Sequence, residues 1–335
     1  MAAPRPWQAD PTRRPKRAPW VPTTGNHTHF LSTLIELREF AITKNPQHER
    51  STSTETSATP DIRTQLLAIA REAAAAGAAV LALRGSGKIS ADTKSAAGDW
   101  VTDFDRRAER AVRDVIAAKR PNDEITGEEY GKTVPLNPSG YRWSIDPLDG
   151  TANFVRGIVY YCTSVAVMGP ESADSTTKIW LAGAVNAPVL GTEYYAATGQ
   201  GAWLVEGHHG AHNTAHEPET NAAATRLHGP NPEDPGKLLA SGFGYDAQRR
   251  QFQVGALLGL MPGYANMRRL GSAALDLCLV ADGTLDAYAE YGTQEFDWAA
   301  GALIAQEAGI PVLRPTSNPG WQAAGHFDFA SLPQP

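Results

Sequence analysis

Between Arg142 and Glu206 the chain carries five short apolar runs, "RWSID", "CTSVAVM", "LAGAVNAP", "EYYAAT" and "AWLVE", each stopped by Gly, Pro or Asn. Short β-prone runs separated by turn residues predict a meander of neighbouring strands. Helix-length patterns stand on both sides of it. "DIRTQLLAIAREAAAAGAAVLALRG" is filled with helix formers, with Asp61 placed to cap it and Gly85 to end it. "DFDRRAERAVRDVIAAKRP" opens on Asp103 and Asp105 and is closed by Pro121. After the meander, "QFQVGALLGLMP", "SAALDLCLVADG" and "DWAAGALIAQEAG" read as helices, with "LDAYAEY" as a strand among them. This order predicts an α+β or layered α/β fold and excludes a repeat architecture.

The ends read differently. Residues 1–60 combine a Pro-, Arg- and Thr-rich start with the low-complexity run "STSTETSATP", which predicts a disordered extension. Between them "HFLSTLIELREFAI" could form an amphipathic helix too short to stand alone. A folded domain is expected over 61–318 and a short tail over 319–335. The loop 206–229 holds His208, His209, His212 and His216, but without rigid spacing or an accompanying carboxylate pattern a metal role there is disfavoured. A formal net charge of -6 over 335 residues argues against an electrostatic nucleic-acid binder and requires a local positive source for any anionic substrate. Cys162 and Cys278 lie in apolar stretches and are expected to pack as small hydrophobes. No apolar run is expected to reach the roughly 18–20 residues that span a bilayer, and no signal-peptide pattern opens the chain, so the expected location is the cytoplasm, with no membrane partner.

The chemistry concentrates in "WSIDPLDGTANF", which sets Asp146 and Asp149 three residues apart around Pro147. Like charges in one turn need a cation or a proton between them. If a strand ends at Asp146, both carboxylates face the space beyond its end, where open α/β sheets bind ligands. Gly150 and Thr151 then offer backbone N–H groups to a phosphate. "EITGEEYG" adds Glu128 and Glu129, and "EFDWAAGALIAQEAG" adds Asp297 at a helix start. Each alone has a plain structural reading: an Asx turn, a solvated loop, a helix cap. Together, carboxylates without neighbouring His or Cys suit a hard cation such as Mg2+ and not Zn2+. Such ions would offset the repulsion, attract a phosphate and acidify a water.

"GDWVTDFD", "GEE", "WSIDPLDGTANF", "EFDWAAGALIAQEAG" and "RRLGSAALDLCLVADGTLDAYAE", in this order over roughly residues 62–312, resemble the signatures of the inositol monophosphatase family. That family belongs to the Mg2+-dependent, lithium-sensitive phosphatase superfamily that includes fructose-1,6-bisphosphatase, and the nearest likeness is to bacterial inositol-1-monophosphatases. The resemblance implies a layered αβαβα sandwich, commonly a homodimer, that cleaves a small phosphate monoester with two to three Mg2+. It implies that Glu128, Asp146 and the Leu148 carbonyl hold one ion and Asp146, Asp149 and Asp297 a second, with a looser third near Glu128. Thr151 with Asp105 would orient the attacking water, and the amides of Gly150 and Thr151 would grip the phosphate. Lys94 and "TKSAAGDW" match a mobile lid. Asp149, Ala273 and Glu290 match contacts to inositol hydroxyls, although Glu290 alone could be an exposed strand end.

Inositol monophosphate is the expected substrate. Histidinol phosphate, a sugar bisphosphate and 3′-phosphoadenosine 5′-phosphate are the alternatives, and a regulatory protein retaining the fold is the non-enzymatic one. Haloacid-dehalogenase phosphatases also use an Asp-Gly-Thr phrase, but their aspartates stand two apart. Three departures from the family pattern are visible. Phe296-Asp297-Trp298 replaces a Trp-Asp pair, "EAGIPVL" lacks a second glycine, and "WQAAGHFDFASLPQP" resembles neither the usual last strand nor its helix. The last departure predicts an uncovered sheet edge or helix face and lower stability.

Overall fold

The computed structural model describes residues 61–94, 99–172, 174–207 and 223–335. The expected N-terminal extension, most of the histidine loop and the centre of the "TKSAAGDW" segment lie outside the described residues.

Helix α1 (Ile62–Leu81) is followed by the short pair β1 (Asp92–Thr93) and β2 (Trp100–Val101), then α2 (Asp103–Lys119). Next come β3 (Glu124–Gly127), β4 (Gly131–Thr133), β5 (Arg142–Asp149), the six-residue α3 (Thr151–Arg156), β6 (Cys162–Pro170), β7 (Lys178–Ala187), β8 (Thr192–Ala197), β9 (Ala202–Glu206) and β10 (Thr225–Arg226). They build an eight-stranded sheet ordered β10-β9-β8-β7-β6-β5-β3-β4. From β5 to β9 each strand pairs antiparallel with the next, the expected meander, whereas β3 joins β5 in parallel. The rest of the chain adds β11 (Leu238–Ala240), α4 (Ala247–Leu260), β12 (Asn266–Arg268), α5 (Ala273–Ala281), β13 (Ala287–Tyr291), α6 (Glu295–Glu307), β14 (Val312–Leu313) and β15 (Trp321–Gly325). Their five strands form a second sheet ordered β12-β11-β13-β15-β14.

Three apolar clusters separate the layers. Leu66, Ala70 and Ala74 of α1 with Val112 and Ile116 of α2 cover one face of the large sheet, meeting Trp143, Val165 and Ala184. Leu277 and Ala281 of α5 with Ala300 and Ile304 of α6 fill the space between the sheets, from Val185 to Tyr288 and Ala324. Ala256 and Leu260 of α4 close the far face of the small sheet over Leu239, Ala289 and Trp321. The result is the expected αβαβα sandwich. Small residues set its spacing: a Cβ on Gly301 would stand 2.8 Å from the Ala274 carbonyl oxygen, so α5 and α6 cross with almost no gap.

Several expectations need correction. Helix α1 ends at Leu81, before Gly85, and Asp61 makes no side-chain cap. Strand β5 does not stop at Asp146; it continues through Pro147 to Asp149, with its register against β6 shifted between those aspartates. That irregularity is a bulge, the setting in which a strand tolerates proline. Helix α1 is also long and apolar enough to cross a bilayer, against the expectation that no run would be. Its apolar side, however, is spent on α2 and the large sheet.

The largest correction concerns the C-terminal segment. Residues 321–325 form a wholly buried strand between β13 and β14, in the interior of the small sheet. Trp321 packs edge-on against Tyr291 and its Nε1 donates to the Pro333 carbonyl at 2.6 Å, while Leu332 is buried beside it. The expected uncovered edge is therefore filled, whereas the alternative, an exposed helix face, is present: α4 leaves Val254 and Leu258 exposed. The missing second glycine also costs nothing. Gly309 takes the left-handed conformation (φ 91°), and the amides of Gly309 and Ile310 close onto the Gln306 and Ala305 carbonyls. That is a Schellman ending, in which Ile310 supplies the apolar contact. Cys162 and Cys278 are free and buried, as expected.

Candidate active site

A cleft of about 430 Å³ opens where the end of β5, the turn after β3 and the starts of α5 and α6 converge. Glu128, Asp146, Asp149 and Asp297 all line it, with the Leu148, Gly150, Thr151, Ala273 and Glu290 positions. Asp105 reaches it through Thr151.

Each acid is held by a different local device. The Glu128 amide donates to the Ile145 carbonyl at 3.2 Å, continuing the β3–β5 pairing one residue into the turn. Asp146 is buried, and its Oδ1 accepts the Leu148 amide at 3.0 Å, an Asx contact across Pro147. Asp149 Oδ2 accepts the Ser272 hydroxyl and the Ala274 amide, both at 2.7 Å, tying the strand end to the first turn of α5. Asp297 is indeed a cap as well as a cleft residue: its Oδ2 takes the Gln294 amide at 2.6 Å in a capping box. Trp298 packs edge-on against Trp180, which accommodates the Phe-Asp-Trp order.

Thr151 opens α3 behind Gly150, whose φ of 95° only glycine adopts without strain. A Cβ there would also lie 3.0 Å from the Tyr160 carbonyl oxygen. The Thr151 hydroxyl stands 3.1 Å from Asp105 Oδ1 and 3.0 Å from the Leu148 carbonyl. Asp105 Oδ2 is fixed in turn by the amide and hydroxyl of Thr102. Lys94 Nζ donates to Glu128 Oε1 at 2.8 Å and to Glu129. Ala273 forms the wall beside Asp149, and Glu290 Oε2 accepts the Tyr288 hydroxyl at 3.0 Å.

The electrostatics follow from this crowding. Burial raises Asp146 and Asp297 well above the usual carboxylate range, and their acidic neighbours raise them further. Burial also brings Asp149 up to about 6 and Glu128 to about 7, the latter opposed by Lys94. Carboxyls that resist ionisation together mark a site short of positive charge. Among the described residues no three His, Cys, Asp or Glu side chains are gathered as a finished coordination cage. The acids turn instead toward Lys94, Ser272 and the amides named above. The donor set nonetheless fits a hard divalent cation: it consists of carboxylate and carbonyl oxygens, no His or Cys lines the cleft, and Thr293 Oγ1 lies buried in its wall without a hydrogen-bond partner among the described residues.

Sequence reasoning missed Glu109. It is fully buried on α2, paired with Arg113 at 2.7 Å, and accepts the Glu129 amide at 2.6 Å and the Tyr130 amide at 3.3 Å. It thereby shapes the turn that presents Glu128. A Cβ on Gly127 would overlap its carboxylate. The signal was present: Asp105, Glu109 and Arg113 repeat at four-residue spacing along one helix face. Arg249 and Arg269, which also line the cleft, were missed as well.

A five-layer αβαβα sandwich with an acid-lined cleft at the end of β5 is a phosphatase architecture. The chain belongs to the inositol monophosphatase family, whose model matches residues 62–331. It is 41% identical over 254 residues to the inositol-1-monophosphatase SuhB of Mycobacterium tuberculosis, covering 74% of this chain and 79% of that protein. It is 33% identical over 241 residues to the Nus factor SuhB of Pasteurella multocida, covering 71% and 80%. Among solved structures, Mycobacterium tuberculosis SuhB superposes with a TM-score of 0.61 at 36% identity, over 79% of this chain and 92% of that one. The inositol monophosphatase of Anabaena gives 0.58 at 28% identity, over 78% and 90%.

Proposed function

We propose that this protein is a Mg2+-dependent phosphomonoesterase that hydrolyses inositol monophosphate to inositol and phosphate. The observation that carries this reading is the meeting of Glu128, Asp146, Asp149 and Asp297 on one cleft beside the Thr151–Asp105 pair. Glu128, Asp146 and the Leu148 carbonyl are the proposed ligands of one ion, and Asp146, Asp149 and Asp297 of a second. When bound, the cations would offset the carboxylate repulsion, lower the pKa of a water and balance charge on the phosphate.

The remaining work falls to the chain itself. With its proton given to Asp105, the Thr151 hydroxyl keeps a lone pair facing the cleft and can accept from the attacking water, fixing its direction. The first-turn amides of α3, behind the left-handed Gly150, suit the phosphate oxygens. Water attacks phosphorus in line, the ester oxygen leaves with the alcohol, and solvent returns its proton. Asp149, the Ala273 wall and Glu290 face the alcohol. The relative named inositol-1-monophosphatase supports inositol phosphate over histidinol phosphate as the substrate.

The test is a panel of kcat/KM values in Mg2+ for inositol 1-phosphate, histidinol phosphate, fructose 1,6-bisphosphate and 3′-phosphoadenosine 5′-phosphate, with and without lithium. Preference for the first, with inhibition by lithium, is expected; preference for any other overturns the substrate assignment. A second reading follows from the name of the Pasteurella multocida relative, a Nus factor: a regulatory protein retaining the fold. Absence of turnover on all four would favour it. The reading extends to a cytoplasmic homodimer, which sedimentation of the purified chain and localisation of a tagged copy test.

A further inference from the structure

Two acids in the substrate wall are held in the same manner. Tyr288 donates its hydroxyl to one oxygen of Glu290, and Tyr160 donates its hydroxyl to Asp276 Oδ1 at 2.8 Å. Asp276 sits in the first turn of α5, is 2% exposed, and lines the same cleft as Glu290 and Asp149. Hydrogen bonds among the described residues engage only its Oδ1, and its Oδ2 is not one of the buried polar atoms left without a partner. A cleft-lining carboxyl with one oxygen committed therefore has the other available to accept from an occupant. The phosphate chemistry gives it no task.

We propose that Asp276 is a substrate-binding residue: a second carboxyl that receives a hydroxyl of the leaving alcohol alongside Glu290, with Tyr160 as its positioning residue. The inference rests on the phosphomonoesterase reading and narrows the alcohol to one with at least two hydrogen-bond donors beyond the ester oxygen.

The experiment compares kcat/KM for inositol 1-phosphate with that for p-nitrophenyl phosphate, whose alcohol offers no hydroxyl, in wild type, Asp276→Ala, Asp276→Asn and Tyr160→Phe. The ratio should fall roughly 10- to 100-fold in Asp276→Ala, mainly through KM, and by less in Tyr160→Phe. Asp276→Asn, which keeps an acceptor, should recover most of the ratio. A ratio within twofold of wild type in Asp276→Ala, or a parallel loss on both substrates, overturns the proposal. Preferential turnover of histidinol phosphate over inositol 1-phosphate in wild type, lost in Asp276→Asn, would assign this carboxyl to an ammonium and overturn the hydroxyl role. Wild-type turnover of p-nitrophenyl phosphate tests the phosphatase reading by itself. If that fails, calorimetric binding of inositol 1-phosphate to wild type and Asp276→Ala still reads Asp276: equal affinities overturn the role, and a tenfold weaker variant supports it.

Discussion

Lys94 Nζ lies 2.8 Å from Glu128 Oε1 and also donates to Glu129, so a tethered ammonium shares the carboxylate proposed to hold a divalent cation. The two positive charges compete for one acid. Lys94→Met should therefore tighten Mn2+ or Mg2+ binding by about fivefold, the scale of one partly exposed ion pair. Calorimetric titration of the metal into each protein checks this; weaker binding in the variant would show that Lys94 assists the ion.

Asp146 and Asp297 are proposed to share the second cation from two different layers, β5 and α6. Replacing either with Asn keeps the shape and removes the charge. Both variants should lose at least about 100-fold in kcat/KM, the scale of removing one preorganised electrostatic partner. A chelator should silence the wild type reversibly. Near-normal turnover in either variant would falsify the assignment of the metal ligands.

Gly127 lies against the Glu109 carboxylate with no room for a methyl group. Gly127→Ala should destabilise the fold by about 1–3 kcal/mol through overpacking. It should also displace the turn bearing Glu128 and weaken metal binding. Denaturant unfolding and metal titration read the two effects separately, and Glu109→Gln should reproduce the second.

Trp321 ties β15 to α4 and to the Pro333 carbonyl. Trp321→Ala should cost about 3–5 kcal/mol. Removing residues 319–335 should abolish the cooperative thermal transition, since β13 and β14 lose the strand between them. A truncated protein melting as sharply as the full chain would mean that the strand is dispensable.

Burial raises the Glu290 carboxyl to about 7, above the roughly 4.3 of an unfolded glutamate. The folded state then holds this proton more tightly than the unfolded one. The stability it contributes is complete below about pH 4 and is lost as pH rises through 7. Between pH 5 and 8, Glu290→Gln should therefore gain thermal stability relative to wild type. Parallel melting curves for the two proteins across that range would contradict the shift.

What the sequence disclosed was local. Asp146, Asp149, Gly150 and Thr151 occupy one short phrase, and Glu128 and Asp297 sit in turns with their own signatures, so their chemistry could be read without a fold. Glu109 could not be assigned its task that way, because the two amides it accepts lie 20 and 21 residues further on and meet it only when β3 packs on α2. "WQAAG" contains no β-branched residue, and apart from Trp321 its propensity does not favour a central strand; the pairing offered by β13 and β14 imposes it. Similarly, Pro147 suggests a strand end, and only the shifted pairing with β6 carries β5 past it.

Asp297 Oδ2 accepts the Gln294 amide, so the carboxyl that starts α6 belongs to a residue that also lines the cleft. An occupant that drew on this oxygen would loosen the first turn of the helix, and one that left would let it rewind. The deuterium uptake of the Gln294 amide thus becomes a clock for the state of the cleft, legible in a protein that is turning over nothing at all.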